Sequence, residues 1–136
     1  MYSLAQQPDP AKFNFNKVDK SKEQVFVFKN LDSSAESLLL INVSPIDIGH
    51  CLLVPNIEKV LPQQVQLVNT WQPYILSRQI TEESALAALH FLSLSTSPDI
   101  RIGFNSLCAH ASVNHMHWHV YYQAHRLDSN SEPQNL

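Results

Sequence analysis

Three runs in the first half of the chain have strand character, and each is closed by a turn signal. "QVFVF", Gln24 to Phe28, is rich in Val and Phe and gives way to the polar stretch "NLDSSAES". "LLLINVSP", Leu38 to Pro45, is apolar with little alternation, which predicts a centrally placed strand. A third strand, about His50 to Val54, starts after Gly49 and stops at Pro55. Its short connector predicts an antiparallel neighbour, because a parallel crossover takes roughly a dozen residues. Ahead of these, residues 1–24 are polar and punctuated by Pro8 and Pro10, apart from "FNFNKV", where Phe13 and Phe15 share one face of an extended segment. Residues 62–80 are ambiguous: Val65, Val68, Trp71 and Ile75 have helical spacing, but Pro73 would break or kink a single helix through them.

The second half is clearer. "TEESALAALHFL" predicts a helix with Thr81 as N-cap, Glu82 and Glu83 in the first turn, and Ala85, Leu86, Leu89 and Leu92 as the stripe toward the core. His90 lies beside this stripe as a partly buried or surface histidine. After the "STSPD" turn, "IRIGFN" is a fourth strand, "SLCAHAS" a loop, and "SVNHMHWHVYY", residues 112–122, a fifth strand. Antiparallel strands on one side with helices covering them make a two-layer α+β fold. Along the fifth strand, alternation puts His115, His117 and His119 on one face with Val113 and Tyr121. Asn114, Met116, Trp118, Val120 and Tyr122 take the other. A helix would scatter the three imidazoles, so the pattern assigns the polar face to chemistry and the apolar face to packing.

Composition narrows the setting. A chain of 136 residues with 44% hydrophobic content supports one domain with its own core. Nine basic against twelve acidic residues give a formal charge of -3, which does not suggest electrostatic capture of nucleic acid, although local positive charge could hold a nucleotide phosphate. No run approaches the roughly 18 apolar residues of a membrane span. With only Cys51 and Cys108, and no secretory leader pattern, a cytoplasmic setting and a role for both cysteines as small buried hydrophobes are expected. The polar tail "QAHRLDSNSEPQNL" contains no element that clearly packs; either it is mobile or the chain continues in a longer parent.

Three explanations compete for the histidine face. The first is a satisfied strand of histidines on a partly wet surface. The second is a zinc site, since neutral imidazoles at i and i+2 can converge on a metal, yet no H-E-x-x-H or C-x-x-C signature adds a further ligand set. The third is nucleophilic catalysis at phosphorus. A neutral imidazole whose other nitrogen is held as a donor has a lone pair able to attack, and its neighbours can stabilise phosphoryl oxygens or protonate a leaving oxygen. Alternation gives only the central histidine two such neighbours. His117 is therefore the nucleophile candidate, with His115 and His119 in support.

"HMHWHVYY" also fits the H-φ-H-φ-H-φ-φ signature of the histidine triad superfamily. "RIGFNSLCAHASVNHMHWHVYYQAHRL", together with "FNFNK" at 13–17 and "LLINVSPIDIGHCLLVP" at 39–55, resembles in the same order the branch of that superfamily containing the GDP-D-glucose and GDP-L-galactose phosphorylases. The third histidine resembles the GDP-D-glucose side of the branch. The resemblance implies a HIT-like two-layer fold and transfer of GMP from GDP-D-glucose to inorganic phosphate through a guanylyl-histidine, with no metal or cofactor. Hydrolysis by the same intermediate, or a GDP-binding partial domain without turnover, are the alternatives.

By the same resemblance His117 is the guanylylated residue, His119 stands beside the transferred phosphoryl group, and His115 orients the pocket. Asn105 and Ser112 match polar residues near the α-phosphate, Asn42 stands near the ribose position, and Lys17 is a phosphate candidate. Each of these four has a plainer role open to it, as a loop cap or a solvated side chain. Gly49 and Gly103 are expected to serve backbone geometry, and His50 to be a structural hydrogen-bonding histidine. His110 and Cys108 stand where the branch more often has small or apolar residues. Proteins of the branch are more than twice this length. The expected organisation is therefore a flexible segment at 1–12, an incomplete HIT-like nucleotidyltransferase domain at 13–124, and a flexible tail or the start of a further half at 125–136.

Overall fold

The computed structural model describes residues 8–31, 34–63, 65–67, 76–78, 80–107 and 109–123. Among these, the strands in chain order are β1 (Gln24–Lys29), β2 (Glu36–Ile41), β3 (Cys51–Val54), β4 (Val65–Leu67), β5 (Leu76–Arg78), β6 (Ile100–Gly103) and β7 (Trp118–Tyr122). They are joined by a one-turn helix α1 (Lys20–Glu23), the long helix α2 (Glu82–Leu94), and 3-10 turns at Phe15–Lys17 and Ile57–Lys59. Five strands make one antiparallel sheet in the spatial order β1-β2-β3-β7-β6. The two-layer α+β architecture expected from the sequence is the observed one, with α2 packed across one face of this sheet.

The apolar run of β2 is buried on both faces, as its lack of alternation implies. Leu39 packs with Leu53, Val120, Phe28, Ala88 and Phe91 in the layer shared with α2. Leu38 and Leu40 point the other way and pack with Leu52, Val54, Phe15 and Ile57. Phe15 is only 4% exposed, so the "FNFNK" segment covers the second face rather than trailing away from it. Burial of a side chain of this size stabilises by about 2–3 kcal/mol. Asn14 caps the turn by accepting the Asn16 N–H, which sets the aromatic ring against the sheet.

Thr81 caps α2 as expected, its Oγ1 accepting the Ser84 N–H at 3.1 Å, with Glu82 and Glu83 at the positive end of the helix dipole. The buried stripe differs from the expected one. Ser84, Ala87, Ala88 and Phe91 face the sheet, while Leu86, Leu89 and Leu92 face outward. Ser84 is buried because its Oγ accepts the Trp118 indole N–H at 2.8 Å.

Two other expectations change. The helically spaced stretch at 62–80 contains a hairpin, with β4 pairing to β5 as Val65 opposite Arg78; Val68, Trp71, Pro73 and Ile75 lie outside the described residues. The fifth strand begins only at Trp118, so His115 and His117 precede it. Among the described residues no helix is long and apolar enough to cross a membrane. Cys51 packs against the α2-side cluster and burial pushes its thiol upward, in keeping with a small hydrophobe; Cys108 lies outside the described residues.

Candidate active site

The divergence of β6 and β7 builds the site. Regular pairing runs from Ile100 opposite Tyr122 to Gly103 opposite His119 and then stops. Where Asn105 and His117 would continue the ladder, the Gln63 carboxamide is inserted. Its Nε2 donates to the Asn105 carbonyl at 2.7 Å and to the His117 carbonyl at 2.9 Å, and its Oε1 accepts the His117 N–H at 2.8 Å. One side-chain amide thus substitutes for a strand's peptide unit, and it is fully buried. The loop carrying it is tied to the same segment by the Met116 N–H to the Leu61 carbonyl at 2.6 Å and by the Gln63 N–H to Asn114 Oδ1 at 3.0 Å. Reaching this position turns the chain through a left-handed Val60 (φ 45), a costly conformation for a β-branched residue.

Hydrogen bonding then fixes where each imidazole carries its proton. His117 Nδ1 lies 2.7 Å from the His115 carbonyl, which can only accept, so Nδ1 is the protonated nitrogen and Nε2 keeps the lone pair. Burial pushes the His117 pKa down to about 4, a little opposed by the bond to the carbonyl and reinforced by the neighbouring His119. The ring is therefore neutral near pH 7. His115 is fully buried; its Nδ1 accepts the Phe15 N–H at 3.1 Å, which leaves the proton on Nε2, a buried atom with no hydrogen-bond partner among the described residues. Burial first, and the charge of His117 second, push His115 down to about 4 as well.

A directed chain runs through the other two rings. The Ile46 N–H donates to His50 Nδ1 at 3.0 Å, so His50 carries its proton on Nε2 and donates to His119 Nδ1 at 2.8 Å. His119 is consequently protonated on Nε2 and donates to Asn105 Oδ1 at 2.9 Å, and Asn105 Nδ2 donates to the Ala109 carbonyl. Burial lowers both pKa values, with the His50 charge adding to the effect at His119. Tyr121 stacks on both rings. Gly49, at φ 76, makes the tight turn that delivers His50 to this place, as its glycine identity implied.

These groups border a cleft of about 250 Å³. His117, His119, His50, Ser112 and Asn42 all line it. The centroids of the His117 and His119 rings are 5.3 Å apart. Asn42 Nδ2 lies 3.3 and 3.2 Å from the two His50 nitrogens, and its Oδ1 accepts the Ser44 N–H. Asn105 touches the cleft through His119. His115 stands behind the site, supporting Phe15 and, through its carbonyl, His117. Lys17 is held elsewhere: its ammonium donates to the Pro10 and Lys12 carbonyls at 2.7 and 2.6 Å, and it is not among the residues lining the cleft. His110, left-handed and exposed, reaches the cleft rim. Among the described residues no three His, Cys, Asp or Glu side chains are grouped so as to hold a metal ion. Sequence reasoning missed Gln63, which carries no periodic signal; it expected His50 as a hydrogen-bonding histidine, and the structure adds that one of its partners is His119.

An imidazole with its lone pair on a cleft, next to a second imidazole whose N–H can pass from a side-chain acceptor to a departing group, can attack an electrophile and stabilise what leaves. Comparison with known proteins points the same way. Residues 1–70 and 67–121 match the family described as "GDPGP1-like, N-terminal domain". The chain is 41% identical over 134 residues to GDP-D-glucose phosphorylase 1 of Danio rerio, covering 98% of this chain and 34% of that protein. Against GDP-D-glucose phosphorylase 1 of Homo sapiens it is 39% identical over 136 residues, covering 96% and 31%. Against GDP-L-galactose phosphorylase 1 of Arabidopsis thaliana it is 33% identical over 129 residues, covering 85% and 26%. It spans about a third of the length of the curated relatives it matches most strongly. No solved structure matches it. With its histidine triad and the family match over most of its length, the chain belongs to the GDP-D-glucose/GDP-L-galactose phosphorylase family.

Proposed function

We propose that this chain is the triad-bearing part of a nucleotidyltransferase that moves GMP from GDP-D-glucose to inorganic phosphate. The observation that carries the proposal is the tautomer of His117: Nδ1–H is committed to the His115 carbonyl, which leaves Nε2 nucleophilic on the cleft. Nε2 attacks the α-phosphorus, the bond to the bridging oxygen breaks, and glucose 1-phosphate leaves. His119, its Nδ1 held by the His50 N–H, turns its Nε2–H from Asn105 Oδ1 to the departing oxygen and gives it a hydrogen bond. Phosphate then attacks the guanylyl-histidine, releasing GDP and restoring His117. Ser112 and Asn105 serve the α-phosphate, directly and through His119, and Asn42 serves the ribose. The test is to incubate the chain with GDP-glucose labelled at the α-phosphate. Label on His117, absent in His117→Ala, is expected; phosphate-dependent GDP formation without labelled protein would refute the mechanism.

One feature favours hydrolysis as a competing outcome. The cleft rim is open, with Val43 at 77% and Ile46 at 78% exposure, and water that reaches the intermediate yields GMP. Product analysis with and without phosphate separates the two: phosphate-independent GMP marks hydrolysis, phosphate-dependent GDP marks phosphorolysis.

A further inference from the structure

The cleft lining divides by element. β7 and the loops before it contribute imidazoles and a hydroxyl, whereas the N-terminal segment and the end of β2 contribute Phe13, Phe15, Val18, Leu40, Ile41 and Val43. That second wall is unsaturated: Phe13, Ile41 and Val43 stay exposed beside it, and the Phe13 ring meets Phe15 edge-on at 5.8 Å. Such a surface suits a flat aromatic ring. In it stands Glu23, the single Asp, Glu, Lys or Arg among the described lining residues. Its backbone is anchored, the Glu23 N–H donating to the Asp19 carbonyl at 2.9 Å at the end of α1. The nearby Lys22 is engaged with Asp19 at 3.0 Å, and among the described residues the Glu23 carboxylate enters no ion pair.

A carboxylate in an apolar slot selects a ring that offers two adjacent N–H donors, because two parallel charge-assisted bonds satisfy both oxygens. Guanine does this with N1–H and its 2-amino group. Adenine places a lone pair at N1 and is repelled; hypoxanthine keeps N1–H and lacks the amino group. We propose that Glu23 reads the Watson–Crick edge of the guanine base and makes the cleft a guanine site. This rests on the guanylyl-transfer reading, which by itself leaves the base unread.

The test is calorimetric titration of the full 136-residue chain, and of Glu23→Ala and Glu23→Gln, with GDP, IDP and ADP. The wild-type chain is expected to bind GDP about 10-fold or more tighter than IDP, with ADP weaker still, since a hydrogen bond to a charged group is worth roughly that factor. In Glu23→Ala the GDP and IDP affinities should converge to within about 2-fold, and in Glu23→Gln, which keeps one acceptor, the preference should be intermediate. Ratios taken on one preparation do not depend on the fraction folded. An unchanged GDP-to-IDP ratio in Glu23→Ala would overturn the proposal. So would equal weakening of all three nucleotides, which would place the carboxylate on the ribose, or a wild-type chain that binds the three alike. A wild-type chain that binds none of them would overturn the functional reading together with this one.

Discussion

Removing the Gln63 carboxamide tests whether the site is built by a wedge between two strands. Gln63→Leu keeps the volume roughly constant and deletes three hydrogen bonds, leaving the His117 N–H, the His117 carbonyl and the Asn105 carbonyl without their buried partner. An unsatisfied buried group costs about 1–3 kcal/mol, and the leucine recovers about 1–2 kcal/mol through apolar burial. With three such groups the expected loss is therefore about 1–8 kcal/mol, a large part of the roughly 5–15 kcal/mol that holds a domain together. Gln63→Glu sharpens the test. The carboxylate can still accept the His117 N–H but faces two carbonyl oxygens, so its folded pKa is raised above the unfolded value. Its deficit relative to wild type should be full near neutral pH and shrink as acid protonates it. Urea unfolding of both variants and wild type at pH 5 and pH 8, alongside guanylyl labelling of His117, reads each effect. Labelling should fall by about 100-fold in Gln63→Leu, because His117 and, through Asn105, His119 both lose their placement. A Gln63→Leu chain within about 0.5 kcal/mol of wild type and normally labelled would refute the wedge.

Other expectations follow from the same contacts. Trp118 is half-buried against α2 and Phe104, so Trp118→Ala should cost about 2–4 kcal/mol in urea unfolding, below the 3–5 kcal/mol of a fully buried indole, and Ser84→Ala about 1–2 kcal/mol through loss of its acceptor. His115 and His117 are held near a pKa of about 4 by burial, against about 6.5 when unfolded. The unfolded chain thus binds more protons between those values, and stability should be full above pH 6.5 and fall as pH drops toward 4, by up to about 1.4 kcal/mol per unit for each ring; a flat profile would refute the burial argument. His50→Phe keeps a ring against Tyr121 and removes the donor to His119, so turnover should drop about 10- to 100-fold with unfolding stability much less affected.

How much of the fold was legible depended on whether one physical signal dominated. The uninterrupted Leu38-Leu39-Leu40 run pointed to a centrally placed strand, and Thr81 followed by Glu82 and Glu83 to the start of a helix. The stripe of α2 was misassigned because "ALAALHFL" is apolar nearly all round. Hydrophobicity then does not choose a face; the tertiary partners do, Phe28, Leu39 and Val120 meeting Ala88 and Phe91 while Leu86 and Leu89 stay outside. In the same way, helical spacing of Val65 with Val68, Trp71 and Ile75 carried no weight against the local pairing of β4 with β5.

The candidate site was legible in its residue types and not in its geometry, and the difference lies at Gln63. Strict alternation put His115, His117 and His119 on one strand face and told them apart only by order, His117 being the central one. The inserted amide ends the β6–β7 ladder at His119 and makes the three unlike: His115 a buried support for Phe15, His117 a neutral ring with a free lone pair, His119 a link in a chain that starts at the Ile46 amide. Nucleophilic catalysis needs that inequality, since three identical imidazoles would compete for one proton. The asymmetry comes from residues distant in sequence, three directed hydrogen bonds from Gln63 and one each from His50 and Phe15. A pattern of period two has no place to record such bonds, which is why the motif names the nucleophile's neighbourhood while the tertiary contacts decide which nitrogen is free to attack.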